Sequence, residues 1–176
     1  MKTLFNNFSK KIDKLEKEIN TLNNTINEMK KIDGIIIFWD IENMPIPKHK
    51  DAFEFVSIIK EYTNIIYPDY KITIKCYFEE KNLSDKNKML LNDAGCHLHL
   101  VPNPYKKKER SDMLIIRDIF DIDEKNIVGL ISSDGDFKPY LTKLKEKSIE
   151  LFIVTNNKKY DIFLPNVINW NDLCLE

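Results

Sequence analysis

From Gly34 onward, short apolar runs rich in β-branched residues alternate with amphipathic stretches, and this alternation limits the fold more than any other feature. Gly34–Trp39, Lys71–Phe78, His97–Val101, Ile127–Ile131 and Ile149–Val154 have the length and composition of strands. The stretches between them carry helix signals. Residues 50–66 place Phe53, Val56, Ile59 and Tyr62 on one face, and Pro68 stops that helix. Ser84 caps a helix that runs to Asp93 and ends at Gly95. Ser111 caps another, with Leu114, Ile115, Ile119 and Phe120 inward, and Phe137–Lys147 forms the next. Strands and helices in such alternation predict an α/β domain, with a central parallel sheet and helices on both faces. The tail, with Pro165 and Trp170–Leu173, adds a short edge element.

Residues 1–32 follow a different rule. Phe5, Phe8, Ile12, Leu15, Ile19, Leu22, Ile26 and Met29 are separated alternately by three and four residues. Ile12, Ile19 and Ile26 fall at one core position of a heptad, and Leu15, Leu22 and Met29 at the other. Isoleucine at the first and leucine at the second favour a parallel two-stranded coiled coil. Lys11 and Glu16 then pair across the dimer. The alternative is an amphipathic helix folded back on its own domain. The seam is narrow and regular, which favours self-association. The expected organisation is an oligomerisation helix over 1–32, dimerising through residues 5–29, and a folded domain over 33–176.

Net charge is −1, so no global field draws in nucleic acid, and any such attraction must come from local patches. The longest apolar run, Ile35–Trp39, is far too short to span a bilayer, and Met1–Asn7 lacks the apolar core of a signal peptide. The expectation is an intracellular protein with no membrane role. Cys76, Cys96 and Cys174 are widely spaced and match no zinc pattern, so they read as buried thiols.

The residues that follow two of the strands are acidic. Ile35–Trp39 runs into Asp40-Ile41-Glu42-Asn43, and Ile127–Ile131 into Ser132-Ser133-Asp134-Gly135-Asp136. In an open α/β sheet, residues just past the carboxyl ends of the strands line the functional crevice. Asp112, in the first turn of its helix, is a further candidate. If the first and fourth strands are neighbours, Asp40, Asp112, Asp134 and Asp136 converge. Converging carboxylates repel, so a cation compensates or some are protonated. Mg²⁺ or Mn²⁺ is the simplest cation for an all-carboxylate set. The plainer alternative is that Asp134 and Asp136 cap the next helix and Asp112 serves its own. Glu42, Glu79, Glu80, His97 and His99 carry less weight, the histidines as a packed or surface pair. Tyr105-Lys106-Lys107-Lys108-Glu109-Arg110 is a basic patch just before Asp112, able to hold nucleic-acid phosphates, with Tyr105 able to stack on a base.

Taken in order, Phe38-Trp39-Asp40-Ile41-Glu42-Asn43, Lys108-Glu109-Arg110-Ser111-Asp112 and Ile131-Ser132-Ser133-Asp134-Gly135-Asp136-Phe137 resemble the NYN domain of the PIN-like nuclease superfamily, limkain-b1 or meiosis-arrest-female type. The resemblance covers roughly residues 32–157. It implies a three-layer αβα fold and a metal-dependent ribonuclease site acting on RNA. Asp40, Asp112, Asp134 and Asp136 match the acidic positions of the motif, and Asn43 matches the asparagine kept near the phosphate. Tyr105, Lys106, Lys107, Lys108 and Arg110 complete the expected substrate contacts. Ser133 departs from the pattern, which usually has glycine there.

The expected activity is thus a Mg²⁺- or Mn²⁺-dependent endoribonuclease. The competing expectation is an NYN module that holds RNA or a protein and cuts little, oligomerised by its coiled coil. A haloacid-dehalogenase phosphatase is a weaker third. Its general acid would be an aspartate where Glu42 stands, and Thr155 comes too late for its threonine.

Overall fold

A computed structural model describes residues 11–12, 14–19, 21, 33–102, 110–160 and 166–175. The chain divides into two compact units, Met1–Ile32 and Asp33–Glu176. In the first, the described residues are helical, and Ile12, Leu15 and Ile19 are exposed. The rest of the heptad seam lies outside the described residues. No helix among the described residues is long and apolar enough to cross a membrane.

The second unit is built on six parallel strands: β1 (Gly34–Asp40), β2 (Ile72–Phe78), β3 (His97–Leu100), β4 (Asn126–Ile131), β5 (Leu151–Thr155) and β6 (Val167–Asn169). Their order in the sheet is β3-β2-β1-β4-β5-β6. The chain builds outward from β1 to β3, then returns to lay β4 on the other flank of β1. That reversal creates a crevice between β1 and β4. Among the described residues, five α-helices accompany the sheet: α1 (Ala52–Ile66), α2 (Asp85–Asp93), α3 (Arg110–Phe120), α4 (Lys138–Glu146) and α5 (Trp170–Leu175).

Successive side chains of a strand face opposite ways, and this assigns the layers. Phe38, Tyr77, Val128, Leu130 and Ile153 pack with Ile115 and Ile119 of α3 and Leu141 and Leu144 of α4. On the other face Trp39 meets Phe55 of α1 and Trp170 of α5, with ring centroids 5.8 and 6.2 Å apart. The result is a three-layer αβα domain. Gly129 faces the same side as Trp39, and the Phe152 ring fills the space a side chain there would take.

Local signals act as expected at several ends. Ser84 Oγ accepts from Asn87 N at 3.3 Å to cap α2; Asp51, a cap not anticipated above, closes the start of α1. Gly95, at φ 79°, follows α2 in the left-handed conformation that glycine adopts without penalty. Two expectations need correction. Phe53 is exposed, and the buried stripe of α1 is Ala52, Phe55, Val56, Ile59 and Thr63. The stripe is rotated because Phe55 is the ring that reaches the two tryptophans. Ser111 does not precede its helix: α3 begins at Arg110, so Ser111 lies within the first turn. Cys76 and Cys96 are buried, as expected, whereas Cys174 is only partly so.

Candidate functional site

The register of β1 and β4 sets the site. Trp39 pairs with Ile131, so Asp40 stands level with Ser132 one step further on. Both fall on the face that carries α3 and α4, because Asp40 alternates in phase with Phe38 and Ser132 with Leu130. Ser132 Oγ donates to Asp40 Oδ2 at 3.0 Å, and Asn43 Nδ2 donates to the same oxygen at 2.6 Å. Asp40 is 0% exposed. Burial raises its carboxyl above the usual range; the hydrogen bonds from Asn43 and Ser132 pull it back, and the nearby charge of Asp134 adds to the rise.

The turn after β1 is held firmly. Ile41 N donates to Tyr77 O at 3.1 Å, Met44 N to Asp40 O at 2.9 Å, and the Trp39 indole N–H to Met44 O at 2.7 Å. Asn43, expected at a substrate phosphate, uses its side-chain amide to fix Asp40.

The turn after β4 is tied to the same hydroxyl. Asp134 N donates to Ser132 Oγ at 3.1 Å, and Asp134 Oδ1 accepts from Asp136 N at 2.9 Å. Asp134 therefore caps the short 3₁₀ turn Gly135–Phe137 that leads into α4. The capping alternative is thus real for Asp134, while Asp136 projects exposed from the turn. The segment beyond β5 straps this turn from behind. Asn157 Nδ2 donates to Ser133 O at 2.9 Å, and the Tyr160 hydroxyl donates to Asp134 O. Burial pushes the Tyr160 phenol well above its ordinary value, and the charges of Asp134 and Asp136 push it further, so it remains a donor.

Asp112, 8% exposed, is the third residue of α3. With Asp136 it lines a cleft of about 370 Å³, walled also by Met113, Ile116, Pro139 and Tyr140. The four aspartates are therefore arranged as two linked pairs. Asp40 and Asp134 share Ser132, Asp112 and Asp136 share the cleft, and the Asp134–Asp136 bond joins the pairs. Among the described residues, no three His, Cys, Asp or Glu side chains are grouped to hold a metal ion. The donor chemistry nonetheless fits Mg²⁺ or Mn²⁺. Mg²⁺ is usually bound by one or two carboxylates, with waters and substrate phosphates completing its shell, so a pair is sufficient.

Sequence reasoning missed Ser132, Asn157, Tyr160 and Tyr140. The Glu42 carboxyl is raised, by burial first and then by the charges of Glu79 and Asp40. Glu79 is paired with Lys81 at 2.8 Å. The acidic rim thus extends over the end of β2. Of the two histidines, His99 stacks on Tyr77 at 4.7 Å, and burial holds its ring below the ordinary histidine value, whereas His97 is exposed. Tyr105, Lys106, Lys107 and Lys108 lie outside the described residues, and Arg110 is described only as the first backbone position of α3.

Residues 34–164 match the family model described as the NYN domain. No curated protein matches the chain.

Proposed function

Because the chain belongs to the NYN domain family, a nuclease-type family of the PIN-like superfamily, we propose that it is a divalent-metal-dependent endoribonuclease working at the carboxyl edge of its sheet. The observation that carries this reading is the coupling of Asp40 to Asp134 through Ser132, next to the cleft shared by Asp112 and Asp136. A pair drawn from Asp40, Asp112, Asp134 and Asp136 would hold Mg²⁺ or Mn²⁺, with waters and substrate phosphate completing its shell; when bound the ion supplies charge stabilisation at the scissile phosphate and lowers the pKa of an attacking water. The chain's own residues do the rest. Ser132 and Asn43 orient the Asp40 carboxylate. Asp136, exposed at the cleft, positions the water for in-line attack. Tyr140 and Met113 give a base an apolar and aromatic wall to lie on. Lys106, Lys107, Lys108 and Arg110 hold neighbouring phosphates, and Tyr105 stacks on a base.

The test is cleavage of end-labelled single-stranded RNA with Mn²⁺ or Mg²⁺, beside EDTA and Asp134→Asn. Asparagine is also a good cap, so the turn survives the substitution while its charge is lost. Metal-dependent cutting that disappears in Asp134→Asn supports the reading. A folded protein that cuts no RNA under these conditions defeats it.

One observation favours a second reading. Asp40 is sealed from solvent and already hydrogen-bonded, a state that suits a module holding RNA without cutting it. RNA binding without cleavage identifies that case. In either reading we propose that residues 5–29 pair two copies of the chain through the heptad seam. Sedimentation of the full chain beside Ile19→Asp tests this: a dimer that becomes a monomer supports it, and a wild-type monomer ends it.

A further inference from the structure

Beyond β5 and β6, Thr155, Asn156, Asn157, Lys158, Asn169 and Asn171 line a second cleft, of about 230 Å³. It opens past the same carboxyl ends of the sheet that carry the aspartates. Part of its lining is structural. Asn157 donates to Ser133 O and accepts from Lys159 N, and Asn169 Oδ1 accepts from Asn171 N at 3.0 Å. The side chains of Asn156 and Asn171 are exposed and take no hydrogen bond among the described residues.

From this we infer that the cleft is a nucleobase subsite, taking the base of a nucleotide that neighbours the one at the carboxylates. The inference rests on the RNA-directed reading above. Amide side chains present a donor and an acceptor side by side, the pattern that meets the edge of an unpaired base. Four asparagines carry no charge that would recruit a phosphate, while Lys158 at the rim supplies one cation for the backbone. The volume lies below the ~300–1,000 Å³ of pockets for drug-sized ligands, so it suits one ring system. Asn157 supplies the link to the chemistry. It lines this cleft and holds the carbonyl of Ser133, the residue just before Asp134 and three before Asp136, which lines the first cleft. A strand seated in both would cross the acidic turn.

The experiment titrates the full-length, ¹⁵N-labelled chain with AMP, CMP, GMP and UMP in turn, following the side-chain amides of Asn156, Asn169 and Asn171. At least one nucleotide should shift them, and Asn171→Ala should weaken that binding roughly tenfold, the loss of about one good hydrogen bond. Asn156→Ala serves as a second, independent variant, and thermal melting checks that both stay folded. In parallel, the variants should raise KM for RNA and alter base preference around the cut. Amides that do not respond to any of the four nucleotides overturn the subsite. So does an active enzyme whose Asn156→Ala and Asn171→Ala forms keep the wild-type KM and base preference; that result leaves the hydrolytic reading intact. Amide shifts in a protein that cuts no RNA support the subsite and defeat the hydrolytic reading instead.

Discussion

The hydroxyl of Ser132 donates to Asp40 Oδ2 at 3.0 Å, across 92 residues of sequence, and accepts the Asp134 amide at 3.1 Å. One side chain thus sets the positions of two acids, one at the end of β1 and one in the turn after β4. Removing it as Ser132→Ala leaves a buried carboxylate short of a donor, at a cost of about 1–3 kcal/mol. The loss should be larger at neutral pH than in acid, because a protonated Asp40 needs the donor less. Urea unfolding at two pH values measures this; an equal loss at both would show that Ser132 acts on the turn alone.

Asp40→Asn should stabilise the fold at neutral pH. Burial raises the Asp40 carboxyl above its ordinary value of 3.8, so the folded state holds the proton more tightly than the unfolded chain. The contribution of this group to stability is complete below the unfolded value and is lost as pH rises through the raised folded value. Asparagine carries no charge and keeps an oxygen for Asn43 and Ser132. Its advantage should therefore be present at neutral pH and vanish in strong acid. Calorimetric melting across that range is the check, and a variant that melts lower at neutral pH refutes the account.

Tyr160→Phe removes the hydroxyl that holds Asp134 O while keeping the ring over which Lys138 Nζ sits, 5.0 Å from the centroid. A stability loss of about 1 kcal/mol is expected for one hydrogen bond. Cleavage should fall further than the folded fraction does, because the acidic turn loses its rear support. Initial rates on RNA, normalised to folded protein, distinguish the two. A rate that follows stability alone reduces Tyr160 to packing.

Gly129→Ala should destabilise by about 1–3 kcal/mol through overpacking. Its new Cβ would meet Phe152 Cζ at 2.3 Å, and Phe152 is itself 1% exposed, so the ring has nowhere to go. Gly129 lies on the sheet face opposite Asp40. Rate per folded molecule should then be unchanged while denaturant midpoints fall. An unaffected midpoint would mean that the ring moves freely.

What the residues revealed in advance followed from local rules. Continuous apolar runs located β1, β4 and β5, because buried parallel strands need such stretches, while β2 and the half-exposed β3 were readable from shorter alternating patterns. β6, three residues between Pro165 and Trp170, is too short to carry a period and was legible only as an edge element. The Asp40 and Asp134–Asp136 positions were readable because acids just past a strand end have few packing reasons to be there. Ser132 was not, since a serine in such a turn looks like ordinary turn chemistry until the β1–β4 register brings Asp40 beside it. Tyr160 and Asn157 act on a turn 24 to 26 residues earlier in the chain, a distance that no local pattern spans. The rotated stripe of α1 has the same origin: Trp170 decides which phenylalanine turns inward.

The placement of β1 between β2 and β4 also bears on how the protein is made. While the ribosome is still short of residue 126, β1 can pair with β2 but its other edge has no partner. That open edge belongs to the most apolar strand of the chain, Ile35–Trp39, and unpaired edges of this kind invite association with other chains. The nascent chain must carry this hazard until β4 emerges. Slow translation across residues 80–125 should lower the soluble yield more than the same delay placed after residue 131.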